Sequence, residues 1–121
     1  MNEGNIVVEK SYKFGLRIVK LYMLLRKNKV ERELLIQLLK SGTSIGANVE
    51  EAEGGQSGAD FIHKMGIAYK EAREVHYWLR ILHDSNLLEL KLAESFVADA
   101  EELKRILASI LKTSKARMGK K

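Results

Sequence analysis

The chain contains no proline among its 121 residues. Proline is the residue that most strongly interrupts a helix, because it lacks an amide donor and clashes with the preceding turn. Hydrophobic residues make up 45% of the chain, and no cysteine is present to form a disulfide. The sequence therefore favours long, uninterrupted helices around an apolar core, and its length suits a single domain.

Apolar residues recur in steps of three and four along four separate runs, the spacing that places them on one face of a helix. For the third run, Ser57 supplies an N-terminal cap, Asp60 a first-turn carboxylate and Asn86 a suitable end. The four predicted stripes are Phe14, Ile18, Leu21 and Leu25 with Tyr22 beside them; Leu34, Leu38, Ile45 and Ala52; Phe61, Met65, Ala68, Ala72, Val75, Leu79 and Leu82; and Ala93, Phe96, Ala100, Leu103, Leu107 and Ile110.

Short connections near residues 28–30, 54–56 and 86–89 separate these runs. Helices joined by short connections pack against each other in antiparallel order. The sequence thus predicts an all-α fold, an up-down-up-down antiparallel four-helix bundle formed by one domain over residues 1–121. Residues 113–121 are expected to fray as a basic tail.

A glycine-rich segment, SGTSIGANVEEAEGGQSGADF, lies between the second and third runs. No lysine follows its glycines in the arrangement of a phosphate-binding loop, so nucleotide binding is not indicated. Gly42 and Gly46 are four residues apart, which lets a neighbouring backbone approach one helix face. Asn48 is expected to be a buried amide that fixes the register of a packed neighbour. Gly54 and Gly55 are expected to end the helix with positive φ angles.

Charge is distributed unevenly along the chain, although the net charge is only +5. Residues 1–9 carry −2, residues 10–30 carry +7, residues 31–102 carry −7 and residues 103–121 carry +7. This separation suggests an anionic partner for one region. The N-terminus has no signal-peptide pattern and no apolar run is long enough to cross a bilayer, so we expect a cytoplasmic protein with no membrane partner.

Five cations of the first run fall within an arc of about 100° on a helix. No acidic residue lies between Lys10 and Val30, so we expect these cations to lack local partners. They are also expected to lie near the cations at the end of the last helix, because the first and last helices of such a bundle are neighbours. Three interpretations stay open: a phosphate-binding face, a solvated face, or a face that pairs across a subunit interface with the acidic middle of another subunit. The cations concerned are Lys10, Lys13, Arg17, Lys20 and Lys27, with Lys112, Lys115, Arg117, Lys120 and Lys121 at the other end.

Catalytic and metal-binding patterns are weak. His63, His76 and His83 lie on the third run, but no Glu-x-x-His pair of a di-metal bundle occurs. No nucleophile has a supporting motif, so we predict no enzyme, no metal and no cofactor. Tyr77 and Trp78 lie beside the apolar stripe, where they either contact another subunit or complete the bundle's own core.

A further motif lies within residues 37–82 and consists of Gln37, Ser44, Ile45, Asn48, Val49, Glu51, Ile67, Ala68 and Glu74. On this motif the chain resembles, over nearly its whole length, a bacterial family of four-helix bundles, named for proteins encoded in intervening sequences of 23S ribosomal RNA genes. The sequence departs from the family pattern at Ala52, at Gly46, where many members have proline, and at Glu71, where serine is common. The predicted structural motif of the corner comprises Gly42, Gly46, Asn48 and Glu51.

The resemblance implies more than the residues do. The family is similar in fold to the accessory protein of diversity-generating retroelements, a homopentamer of four-helix bundles that binds nucleic acid and partners a reverse transcriptase. It implies a non-catalytic homo-oligomer, with a pentamer as the expected form. We therefore predict RNA or DNA backbone binding through the basic residues Lys10, Lys13, Arg17, Lys20, Lys27, Lys112, Lys115 and Arg117. The alternative is an oligomeric scaffold that docks an acidic protein partner, as a reverse-transcriptase accessory protein does.

Overall fold

Four helices account for nearly all of the computed structural model, which describes residues 3–55 and 57–119. They are α1 (Glu3–Lys27), α2 (Arg32–Glu53), α3 (Gly58–Asp84) and α4 (Leu90–Gly119). Consecutive helices pack closely along their length, the backbones of α1 and α4 approach each other over a shorter stretch, and the backbones of the diagonal helices stay apart in the described residues. The predicted all-α, up-down-up-down four-helix bundle is confirmed.

The core is built from the predicted stripes with small shifts of position. All six predicted residues of α4 are buried, as are the α1 residues Phe14, Ile18, Leu21 and Leu25. On α2, Leu34 is only half-buried, and Leu35 and Val49 occupy the core in addition to Leu38, Ile45 and Ala52. On α3, Phe61 is half-buried while the rest of its stripe is enclosed. Full burial of one such large side chain contributes about 1.5–3 kcal/mol.

The helix ends follow local chemistry. Ser57 caps α3, since its Oγ accepts a hydrogen bond from the Asp60 N–H at 3.1 Å. After α3, Asn86 adopts a φ of 62°, and the Leu87 N–H donates to the Leu82 carbonyl at 2.9 Å. Lys29 adopts the same left-handed conformation after α1. Both turns have the hydrogen-bond pattern of a Schellman motif.

The end of α2 differs from the expectation. Gly54 has a φ of −91°, and no described glycine has a positive φ, so the proposed left-handed role of Gly54 and Gly55 is wrong. The N–H of Gly54 donates to the Glu50 carbonyl at 3.2 Å, which continues the helical pattern for one more residue. Gln56, the last residue of the expected connection, lies outside the described residues.

The two glycines inside α2 lie against α1. A Cβ on Gly42 would meet the Ile18 side chain at 2.6 Å, and a Cβ on Gly46 would meet the Ser11 carbonyl oxygen at 3.2 Å. Hydrogen atoms as side chains therefore allow the close approach of α1 and α2. Asn48 does not fix a neighbour's register, because its Nδ2 donates to the Ser44 carbonyl of its own helix at 2.8 Å.

Helix α4 extends through residues 113–119 of the predicted tail. Near its end, the Met118 Sδ lies 3.0 Å from the position of a Cβ on Gly58, so this part of α4 reaches the start of α3. Fraying of the tail stays a prediction. Lys120 and Lys121 lie outside the described residues.

Candidate nucleic-acid interface

Lys10 and Arg17 lie at the contact between α1 and α4, where carboxylates of the same chain meet them. The Lys10 Nζ lies 3.2 Å from a Glu102 carboxylate oxygen, and the Arg17 Nη1 lies 2.5 Å from the Asp99 Oδ2. Arg17 also donates to the Ser95 Oγ at 3.0 Å. Because these partners come from α4, the sequence between residues 10 and 30 gave no sign of them.

Lys13 is also paired, with Glu9 one turn earlier on α1 at 2.8 Å. This contact lowers the pKa of Glu9, since the lysine ammonium stabilises the carboxylate. The expectation that the cations of α1 lack local partners is therefore wrong for Lys13, and for Lys10 and Arg17 the partners are tertiary. Exposed pairs of this kind contribute little to stability, but they reduce the positive potential of this surface.

Arg17 makes a second type of contact on α4. Its guanidinium carbon lies 4.0 Å from the centre of the Phe96 ring, and the Phe96 ring packs edge-on against Phe14 at 6.2 Å. A cation over an aromatic face contributes about 0.5–1 kcal/mol at an exposed site. Arg17 thus joins α1 to α4 by an ion pair, a hydrogen bond and a ring contact, which is the behaviour of a structural residue.

The remaining predicted cations have no such partners. Within residues 3–55 and 57–119, no ion pair involves the following five: Lys20, Lys27, Lys112, Lys115 and Arg117. All five are exposed. These five side chains therefore contribute more to the positive potential of the surface than Lys10, Lys13 and Arg17, whose charges are offset by carboxylates.

The two basic groups do not converge as expected. Lys10 is opposite Glu102 and Arg17 is opposite Asp99, which sets the register of α1 against α4. Lys112 is ten residues beyond Glu102, or about 15 Å along the helix at 1.5 Å per residue. The cations at the end of α4 therefore lie past the start of α1, separate from Lys10 and Lys13.

The outer face of α1 carries apolar side chains that the sequence reasoning missed. We call this set the outer stripe, and it consists of Tyr12, Leu16, Val19 and Met23, exposed by 58%, 49%, 43% and 57%. Steps of four, three and four place these residues on one line, about 160° from the core stripe of α1 at 100° per residue. The signal was present in the sequence as a second apolar period in the same helix.

The other predicted residues have ordinary partners. Glu51 pairs with Lys64 of α3 at 2.8 Å, and this contact raises the pKa of Lys64. Tyr77 is 47% exposed, and its ring lies edge-on to the half-buried Trp78 ring at 5.2 Å. The Trp78 indole N–H donates to Glu74 at 3.3 Å. The role of Tyr77 and Trp78 as oligomer contacts stays a prediction.

Lys104, His76 and Glu101 form a small cluster between α3 and α4. The Glu101 carboxylate lies 3.0 Å from the Lys104 Nζ and 3.1 Å from the His76 Nδ1. Burial and the neighbouring Lys104 lower the pKa of His76, whereas Lys104 lowers the pKa of Glu101 by stabilising its charged form. No group of three or more His, Cys, Asp or Glu side chains in the described part of the chain is arranged to hold a metal ion.

Fold and surface together define a four-helix bundle with a mixed-charge surface and an apolar outer face on its first helix. Residues 3–109 match the family described as 23S rRNA-intervening sequence protein, and the chain belongs to that family. It is also similar to a crystal structure from Bacteroides thetaiotaomicron, described as a protein with unknown function from the S23 ribosomal protein family. That likeness has a TM-score of 0.89 and 45% sequence identity, over 92% of this chain and 99% of the other.

A search of curated proteins gave no match. Neither the family description nor that of the similar structure indicates a catalytic activity. Among the described residues, no helix combines the length and the hydropathy needed to cross a membrane.

Proposed function

We propose that this protein is a non-catalytic, cytoplasmic homo-oligomer that binds the phosphate backbone of RNA or DNA. The observation that carries the assembly is the outer stripe of α1, four exposed apolar side chains on a helix whose exposed charged side chains are mostly basic. Apolar residues in steps of four and three are the pattern by which helices pack side by side. Exposed stripes of this kind mark interaction sites.

A second copy of the chain is the occupant that fits the outer stripe. Residues 10–30 carry +7 and residues 31–102 carry −7, so the basic helix of one copy complements the acidic surface of another. Exposed carboxylates are present on α2 at Glu33, Glu50 and Glu53. The pentameric form rests on the family resemblance, and the Tyr77–Trp78 pair remains a second candidate for the contact.

Assembly is tested by the mass of the purified protein in light scattering. We expect the wild type to exceed the 13.7 kDa of one chain, and Leu16→Glu to reduce the mass toward that value, because a charge in the outer stripe cannot be desolvated in a contact. Leu90→Glu is the matched control, since Leu90 is 57% exposed at the start of α4. A wild type of 13.7 kDa at tens of micromolar would contradict the assembly.

Backbone binding is supported by the five exposed cations without ion pairs. Phosphate contacts release counterions, so the affinity for a structured RNA should fall with salt at a log–log slope of about −0.7 to −0.9 per contacted phosphate. We expect Lys112→Gln with Lys115→Gln to reduce the magnitude of that slope by about 1.4–1.8 in filter binding. The matched pair Lys10→Gln with Lys13→Gln removes the same charge from paired residues, and its effect should be smaller.

A scaffold for an acidic protein is the second candidate function. It is favoured by the outer stripe, because exposed apolar side chains suit a contact with a protein. The ion pairs of Lys10, Lys13 and Arg17 weaken the attraction of this face for phosphates and for an acidic protein alike. If no RNA or DNA is retained on a filter at low salt, backbone binding is excluded. A partner complex that persists after nuclease digestion would then support the scaffold.

A further inference from the structure

An open concavity of about 560 Å³ lies on the outward face of α3 beside α4. Its lining includes Lys70, Arg73 and Arg80, which are exposed on α3, and the half-buried Lys104 of α4. Steps of three and seven along α3 keep its three cations on one side of the helix, opposite the buried stripe. They span ten residues, or about 15 Å. We call this surface the α3 concavity.

Positive charge in the α3 concavity is only partly offset. No ion pair in residues 3–55 and 57–119 involves Lys70, Arg73 or Arg80, whereas Lys104 is held by Glu101. Glu74 is the acidic residue of the lining. Three cations of α3 therefore share the lining with a single carboxylate, and Glu71, outside the lining, also interacts with Lys70.

An exposed aromatic ring lies among these cations. Tyr77 lines the concavity, and the Arg80 guanidinium carbon lies 5.9 Å from the centre of its ring. The half-buried Trp78 ring lies edge-on to the Tyr77 ring, with 5.2 Å between the ring centres, and its indole N–H donates to Glu74. Exposed aromatic rings beside lysine and arginine side chains are typical of surfaces that bind single strands, where bases stack on the rings and phosphates contact the cations.

We propose that the α3 concavity binds single-stranded nucleic acid, with phosphates at Lys70, Arg73 and Arg80 and a base stacked on Tyr77. The inference rests on the proposed nucleic-acid function and assigns it a strand type and a site that the sequence reasoning did not. A duplex would use the cations but not the ring, because its base faces are already stacked. An acidic peptide would likewise leave the ring without a role.

The test is fluorescence anisotropy with a fluorescein-labelled 20-nucleotide oligo-dT, compared with a 20-base-pair duplex. Arg73→Gln with Arg80→Gln should reduce the magnitude of the salt slope by about 1.4, at 0.7 per phosphate for single strands. The control is Arg32→Gln with Lys91→Gln, which removes the same charge from exposed positions on α2 and at the start of α4. Tyr77→Ala should weaken single-strand binding by about 5- to 150-fold, whereas Tyr77→Phe should keep the affinity near that of the wild type.

The outcomes separate this inference from the proposed function. If the wild type binds neither oligo-dT nor structured RNA, both fail. Suppose that the wild type binds oligo-dT, but that the Arg73/Arg80 variant has the same salt slope as its control or that Tyr77→Ala leaves the affinity unchanged. Either result overturns the α3 concavity as the binding site, whereas the proposed backbone binding elsewhere on the protein still stands. A change of oligomer mass in Tyr77→Ala would make this residue a subunit contact and overturn its stacking role. If poly-glutamate displaced the labelled oligo-dT as well as unlabelled oligo-dT does, the preference of this surface for nucleic acid would be overturned.

Discussion

Gly42 and Gly66 are both glycines within helices, but only one of them has a neighbour where a side chain would lie. A Cβ on Gly42 would meet three carbon atoms of Ile18 at 2.6–3.0 Å, and Ile18 is fully buried. A Cβ on Gly66 would meet nothing within 4 Å. Replacing each glycine with alanine therefore separates two effects. Both variants gain helix propensity, but only the variant at position 42 loses the space that Ile18 occupies.

Gly42→Ala should lower the free energy of unfolding. Overpacking a buried site costs about 1–3 kcal/mol, and replacing a helical glycine returns about 1 kcal/mol, so we expect a net loss of up to about 2 kcal/mol. Gly66→Ala is the control and should raise the free energy of unfolding by about 0.5–1 kcal/mol. Urea denaturation of both variants checks this, and equal effects would show that α1 and α2 do not need the gap at Gly42.

At the scale of the helix, the ends of α1 and α3 are closed by the same turn with different residues. Asn86 and Lys29 both have a φ of 62°, and each is followed by an apolar residue whose N–H donates back to the helix. Asparagine is the residue that most readily replaces glycine in this conformation, whereas lysine has no side-chain compensation. The sequence accordingly indicated the end at Asn86 and gave no such signal at Lys29.

Lys29→Gly should raise the free energy of unfolding by up to about 1 kcal/mol. Glycine removes the strain of about 1–2 kcal/mol that a side chain meets in the left-handed region, and loses part of that gain to the entropy of the unfolded chain. Lys27→Gly removes the same charge at a helical position and should lower the free energy of unfolding by about 1 kcal/mol. Thermal denaturation followed by circular dichroism measures both, and a destabilised Lys29→Gly would contradict the assigned turn.

At the scale of the whole molecule, several titrating groups link stability to pH. Burial lowers the pKa of His76 below its ordinary 6.5, so the unfolded chain takes up that proton first. The contribution of neutral His76 to the free energy of unfolding is therefore complete above pH 6.5 and is lost as the pH falls. Glu9 and Glu101 also have lowered pKa values, and their contributions are lost below pH 4.5. Burial raises the pKa of Glu71, so the effect of this residue on stability has the opposite dependence on pH. Its contribution is present at low pH and is lost as the pH rises above 4.5.

The stability difference between the wild type and His76→Gln should therefore depend on pH. Only the wild type carries the imidazole whose protonation favours the unfolded chain, so its advantage in unfolding free energy should shrink between pH 7.5 and pH 5. Urea denaturation of both proteins across this range is the measurement. A difference that stays constant with pH would contradict the burial of His76 between α3 and α4.

How far the sequence could predict the site depends on how far apart the partners are. Asp60 is three residues from Ser57, and the cap was expected; Glu9 is four residues from Lys13, and the pair could have been found by the same reasoning. Asp99 is 82 residues from Arg17, and no local rule connects them. Of the cations first expected to bind phosphate, Lys10 and Arg17 are therefore the two that tertiary contacts partly neutralise.

The four helices, their order and most of the core were set by the sequence itself, because helix periodicity, capping and the lack of proline act over a few neighbouring residues. Tertiary structure decided which helix faces meet, and therefore which charges are paired, which apolar side chains of α1 are left uncovered and that Lys104 of α4 joins the α3 concavity. Those outcomes depend on the rotation and register of one helix against another. Contacts between residues far apart in the chain fix both quantities, and no single segment encodes them.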